Sequence, residues 1–343
     1  MTPMRIDGRK IGDGAPVYIV AEIGAGFDPA DPKDSVNQLI RAAKAAGADA
    51  VKLQIYRPDD LTCPGLEPLT EGPWANQTLW DIYSACALPE EHLLGWFNMA
   101  RQTGITMFAS IFHPRLVPFL ESVKCPAYKV ASAEINHHEL LWAIARTGKP
   151  VILSAGMASD EELYSAWSVF SEDAAVLHCV PEYPAATQHC NLNQITRLQK
   201  IFGENYVGLS DHSKPHFIGQ MAVAEGAVII EKHIALDGSY DASFGLRPWA
   251  FARFVKAIRA AEDALQAPTM PKPGMQGLKR SVRAVKPIAA GEKLRLNRNI
   301  KVLRPSGGAD PLTVHLLNGA TVKTTLQVGD PVNHGDVEEA KTS

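Results

Sequence analysis

Long apolar runs are missing from this 343-residue chain. No stretch approaches the roughly 18 uninterrupted apolar residues that a membrane span needs, and the opening MTPMRIDGRKIGDG has no apolar core of a secretion signal. A membrane partner is excluded on this reading, and the expected location is cytoplasmic. An excess of one charge is missing too. The 34 Lys and Arg nearly balance the 37 Asp and Glu, the net charge is -3, and no basic block could track a phosphate backbone. Nucleic acid is excluded as a partner. Cysteine is scarce and unpaired: Cys63, Cys86, Cys125, Cys179 and Cys190 are odd in number and contain no CxxC. That fits neither a disulfide framework nor a thiolate zinc site, so reduced, packed thiols are expected. Cys179 follows His178 on a predicted strand, where neighbours point to opposite faces, so no thiol-imidazole couple forms and Cys179 is assigned no catalytic role.

What is present is 46% hydrophobic residues, enough for one large core and a smaller one. Up to about residue 265, short apolar runs alternate with amphipathic stretches, as when helices cross over between parallel strands. The runs begin VYIVAEI at Val17, DAVKLQI at Asp49, ITMFAS at Ile105 and AYKVAS at Ala127. They continue with PVILSAG at Pro150, AVLHCV at Ala175, YVGLS at Tyr206 and AVIIEKH at Ala227. A helix is predicted from Asp34, with Val36, Leu39, Ile40 and Ala43 on one face and Gly47 as its cap. Eight such units predict an α/β fold, the (β/α)8 TIM barrel, over residues 1–265. A Pro- and Gly-rich linker follows at 266–279, then a small β-rich domain at 280–343, with a frayed end from about Val337.

Barrel chemistry sits where strands end, and here those ends are polar. They carry Glu22; Lys52 and Gln54; Ser110; Lys129, Ser132 and Glu134; Ser154; Glu182 and Tyr183; Ser210, Asp211, His212 and Ser213; and Glu231, Lys232 and His233. Lys52 and Gln54 are two apart and share a face. The lysines could pair with Glu22, Glu134 or Glu231 in a layered polar interior. Three lysines and several serines converging on one rim point instead to a phosphate or carboxylate. His212 and His233 end adjacent strands, where two imidazoles could share a divalent ion and leave open positions for substrate and water. The other nine histidines, His113, His137 and His138 among them, are read as solvated or capping.

Several stretches together resemble the sialic acid synthase family: IVAEIG from Ile19, AAGADAVKLQ from Ala45, AYKVASAEI from Ala127, GKPVILSAGMAS from Gly148, YPA from Tyr183, NL at Asn191, VGLSDHS from Val207 and GAVIIEKH from Gly226. VKLQIYRPDDLT from Val51, LWDIYSACALPEE from Leu79 and DASFGL from Asp241 are most similar to the pseudaminic acid synthases of that family. RSVRAVKPIAAGEKL from Arg280 and the LRP at Leu303 resemble the family's antifreeze-like (SAF) module.

The resemblance implies a barrel mouth that condenses phosphoenolpyruvate with an N-acetylated aldehyde hexose, giving a nine-carbon 2-keto acid and phosphate. It implies a domain-swapped homodimer in which the partner's small domain closes the site. By motif, His212 and His233 bind Mn2+ (or Mg2+ or Co2+). Lys52, Ser110, Lys129, Ser132, Ser154 and Ser213 hold phosphoenolpyruvate. Gln54, Tyr183, Asp241 and Phe244 face the sugar, and Arg304 reaches its acylamino group from the other chain. Glu22 and Glu134 are the carboxylates placed to handle the attacking water, with Lys52 beside them in the catalytic set.

Departures from the pattern fall at Gly26 and Phe27, in place of an Asn-His pair; at Pro181, in place of a polar residue; and at Ser154-Ala155-Gly156. They bear on the acceptor sugar. The alternatives are an N-acetylneuraminic or legionaminic acid synthase, an aldolase with Lys129 or Lys232 as Schiff base, and a catalytically idle sugar-binding barrel.

Overall fold

A computed structural model describes residues 4–12, 14–170, 174–266 and 273–338. The chain divides into two compact units, Met1–Gln266 and Ala267–Ser343.

In the first unit eight parallel strands close into a barrel in chain order. They are β1 (Tyr18–Glu22), β2 (Ala50–Ile55), β3 (Thr106–Ile111), β4 (Tyr128–Val130), β5 (Val151–Ser154), β6 (Ala174–Cys179), β7 (Val207–Asp211) and β8 (Ile229–His233). Each lies on one of the eight predicted runs. β8 pairs with both β7 and β1, which closes the ring. The strands are buried at every position but Gln54 and Thr106, because helices cover the outside.

The first crossover helix, Pro32–Ala46, shows how local sequence fixes an element. Asp31 caps it by accepting from the Asp34 amide, Val36, Leu39, Ile40 and Ala43 are buried, and Gly47 ends it in the left-handed conformation. The last helix, Pro248–Gln266, seals the start of the barrel. Its Glu262 accepts from the Val17 amide at 2.5 Å, and its Arg259 donates to Val17 O and to Asp49, which in turn accepts from the Ile19 amide. Its Phe251, Phe254 and Ile258 are fully buried.

The second unit has its own small core of Val282, Ala284, Ile288, Leu294, Ile300, Leu317, Val322 and Val332. Its strands Ser281–Ala284 and Ile300–Leu303 pair antiparallel. Of the predicted linker, residues 267–272 lie outside the described residues, as do residues 339–343 of the predicted frayed end; Pro273–Leu278 forms a 3-10 turn. Among the described residues no helix is long and apolar enough to cross a membrane.

Phe254→Ala should remove a fully buried ring from the seam between the last two barrel helices and destabilise the protein by about 3–5 kcal/mol. Chemical denaturation measures the loss.

Candidate active site

Strand register brings the polar residues together. His233 stands level with Glu22, Glu22 with Lys52, Gln54 with Ser110, and Ser110 with Lys129. Inside the barrel the Lys52 ammonium forms an ion pair with Glu22, donates to Ser110 Oγ at 2.9 Å and lies 3.6 Å from Glu231 Oε2. The other Glu22 oxygen accepts from the Gly24 amide at 2.6 Å, and Ser210 Oγ donates to Glu231 Oε1 at 2.8 Å. Lys129 donates to Ser154 Oγ at 2.6 Å and to Val130 O at 2.9 Å.

All four charged groups are withdrawn from water, so their neighbours set their ionisation. Burial works against the Lys52 ammonium, but Glu22 and Glu231 outweigh it and hold it charged above the ordinary lysine range. Burial also opposes ionisation of Glu231, which Lys52 and Lys129 nevertheless draw well below the usual carboxylate range. For Glu22 burial prevails over Lys52 and raises its pKa. Lys129 makes no ion pair among the described residues, and burial, opposed by Glu231, lowers it to about 8.

The two histidines stand on the same rim with ring centroids 5.6 Å apart. His212 Nδ1 lies 2.8 Å from Val180 O, and His233 Nδ1 lies 2.7 Å from Asp241 Oδ2. A carbonyl and a carboxylate can only accept, so both rings carry hydrogen on Nδ1 and direct Nε2 away from that anchor. Burial lowers the His212 pKa to about 3, and its Nε2 lies 3.2 Å from Ser210 Oγ. Burial opposes charge on His233 as well, but Asp241 outweighs it and raises that pKa. Imidazoles oriented through Nδ1 by an acceptor suit metal ligation through Nε2. Among the described residues no group of three or more His, Cys, Asp or Glu converges for an ion. Two imidazoles so anchored would suit a divalent ion whose other positions go to substrate and water.

Aromatic rings wall the histidines. Tyr183 stacks on His212 with centroids 4.2 Å apart, and Phe244 lies edge-on to both His233 and Tyr183 at 5.0 Å. Gln54 and Ser132 are half-buried near the strand ends. Glu134, in the turn after β4, sits 3.1 Å from His137 Nδ1, and burial raises its pKa. Asp241 holds His233 and the Ala25 amide through Oδ2. Arg304 is exposed in the second unit.

Some expectations need correction. Lys232 does not join the rim: alternation along β8 turns it away from Glu231 and His233, and it is fully buried against Asp211 at 3.0 Å with Phe254 beneath it. The Ser213 hydroxyl is not aimed at Lys52 or Lys129 but donates to Asp211 at 2.6 Å, within the same outer cluster. His178 is neither solvated nor capping; it is buried on β6, with Nε2 2.8 Å from Cys190 O. His113, by contrast, does cap, accepting from the Arg115 amide. Phe27 is buried in the apolar core rather than lining the mouth. Gly26 is pinned where a Cβ would lie 2.3 Å from Ile234 O, so this loop has no room for the Asn of the resembled pattern.

Glu231, expected as a partner for one of the buried lysines, meets Lys52. Two further neighbours of the site carry no sequence signal of their place there. Cys179 is buried and shares a neighbourhood with Lys129 and Ser154, its thiol pKa raised by burial. Trp74, in the loop after β2, packs on Tyr183 and Phe244 with centroids 5.9 and 6.3 Å away; no periodicity marks it.

The sequence pattern of the NeuB family matches residues 39–269. The chain is 36% identical over 336 residues to the pseudaminic acid synthase of Campylobacter jejuni, covering 94% of this chain and 97% of that protein. It is 34% identical to the pseudaminic acid synthase of Helicobacter pylori, covering 95% of this chain and 99% of that protein. Among solved structures it is similar to the N-acetylneuraminic acid synthetase of Leptospira borgpetersenii in complex with citrate. The TM-score is 0.70 at 28% identity, with 80% of this chain and 94% of that chain covered.

Lys129 has a defined pH signature. Its pKa is about 8 in the folded protein against 10.5 for an ordinary lysine, so across that window the unfolded chain binds more protons and folding stability rises with pH. Lys129→Met lacks this linkage. The unfolding free energy of the wild type relative to Lys129→Met should therefore increase from pH 8 to pH 10, measured by denaturant titration.

Proposed function

The chain belongs to the NeuB family of sialic acid synthases and is a phosphoenolpyruvate-dependent sugar-acid synthase, and from that premise we propose that it makes pseudaminic acid from an open-chain 2,4-diacetamido-2,4,6-trideoxy hexose. The supporting observation is the pairing at one barrel mouth of two buried lysines, each with a serine hydroxyl, and two buried imidazoles, each anchored through Nδ1. The first set suits an anion with phosphate and carboxylate oxygens; the second suits a divalent ion. The two named pseudaminic acid synthases support the choice of acceptor.

His212 and His233 would hold the ion, Mn2+ or a similar one, which supplies Lewis-acid polarisation of an aldehyde oxygen. Lys52 and Lys129, with Ser110 and Ser154, orient phosphoenolpyruvate so that its methylene carbon faces the aldehyde carbon. A carbon-carbon bond forms, the aldehyde oxygen takes a proton to become a hydroxyl, and positive charge develops at the enol-phosphate carbon. Glu22 and Glu231, buried beside that position, stabilise the charge. Glu22, its pKa raised by burial, or Glu134 takes the proton from the water that adds there. Cleavage of the carbon-oxygen bond to phosphate then leaves the 2-keto acid. The second unit, as an antifreeze-like module of a partner subunit in a domain-swapped homodimer, would bring Arg304 to the acylamino groups.

Phosphate release from phosphoenolpyruvate, Mn2+ and the trideoxy sugar should be robust in the wild type. It should fall about 100-fold or more in Lys52→Ala and in His212→Ala, in line with the loss of one charge-stabilising group. Equal activity in these variants, or release only with N-acetylmannosamine, would overturn the corresponding part of the reading.

A further inference from the structure

Trp74 belongs to none of the elements that build the barrel. It sits in the loop between the short helices Pro58–Leu61 and Leu79–Cys86, after β2. That loop has a defined shape: the Leu69 amide donates to Gln77 O at 2.9 Å and the Asn76 amide to Leu69 O at 2.8 Å, while Gln77 and Ala75 close turns onto Trp74 O and Gly72 O. Trp74 therefore stands near the tip of a loop pinned at its base. Its indole is half-buried against Tyr183 and Phe244, the rings that in turn lie against His212 and His233. Trp74 is thus one ring further from the histidine pair.

We propose that Trp74 determines acceptor specificity by walling the distal end of the open-chain sugar, an inference that rests on the acceptor assigned above. The aldehyde must lie at the histidine pair to react, so the remaining carbons of the chain run outward past Tyr183 and Phe244 to this ring. An indole face packs well on a methyl group and poorly on a hydroxyl that it strips of water. A 6-deoxy sugar presents a methyl there, and N-acetylmannosamine presents a hydroxymethyl. Among the described residues the Trp74 indole N–H has no hydrogen-bond partner, which leaves it to donate to the carbonyl of an acylamino group beyond the reach of the strand ends. The same ring thus offers an apolar face and one donor, matching a chain that carries both a methyl and acetamido groups.

The experiment compares kcat/KM for the trideoxy sugar and for N-acetylmannosamine in the wild type, Trp74→Ala and Trp74→Phe, with the KM for phosphoenolpyruvate measured alongside. Trp74→Ala should lower the preference for the trideoxy sugar about tenfold or more, the scale on which one buried methyl is discriminated. The KM for phosphoenolpyruvate should stay within about twofold. Trp74→Phe keeps an apolar face without the donor and should recover part of the preference, which also guards against a misfolded alanine variant. A wild type that prefers the trideoxy sugar, with the preference unchanged in both variants, overturns the role of Trp74 and leaves the acceptor assignment standing. A wild type with no such preference overturns both.

Discussion

Lys52 is held between Glu22 and Glu231 in the closed interior of the barrel, and the proposed chemistry of the site depends on that arrangement. Removing one partner of such a buried cluster leaves a charge unpaired, at a cost of about 3–5 kcal/mol; the two carboxylates hold Lys52 charged and Lys52 draws Glu231 down, while burial raises Glu22. At Lys129 burial outweighs the more distant pull of Glu231 and lowers its pKa. The result is an interior with one fully balanced ammonium and one that gains from an incoming anion. A phosphate or carboxylate near Ser154 would give Lys129 the partner that the protein withholds.

The barrel produces this by alternation. On β8 Glu231 and His233 face inward while Lys232 turns out to Asp211, and on β7 Ser210 meets Glu231 while Asp211 takes the outer side. Two charge clusters of different character thus share the same two strands. The inner one centres on Lys52; the outer one packs against Phe254 and also holds Ser213 through its hydroxyl and its carbonyl. His212 and Ser213 leave β7 between these clusters, so the outer lysine fixes the path of the chain that carries a candidate metal ligand.

The fold was legible because a strand buried on both sides is mainly apolar and a crossover helix must bury one stripe; Val17 to His233 carries eight such strands with a crossover between each and the next. The inward residues on strand ends were legible for the same reason, since Lys52, Ser110, Lys129, Ser154, His212 and His233 lie where chain position alone puts them. Faces were harder. Lys232 and Ser213 sit within a residue of His233 and His212, and only the strand register shows that a one-residue step moves them to the other side. Phe27 could not be placed from a loop without periodicity, and Trp74 acquires its position from backbone hydrogen bonds within an irregular segment. Asp241 was read as a sugar contact, yet its Oδ2 is spent on His233 and Ala25, a tertiary arrangement that no local pattern encodes.

The central claim is that one barrel mouth combines an anion site at Lys52 and Lys129 with an ion site at His212 and His233. Crystals soaked with phosphoenolpyruvate and Mn2+ address it most directly. The account predicts density for phosphoenolpyruvate against Lys52, Lys129, Ser110 and Ser154, with an ion between the two Nε2 atoms. Phosphoenolpyruvate bound elsewhere, or Mn2+ at any site that excludes these histidines, would contradict it.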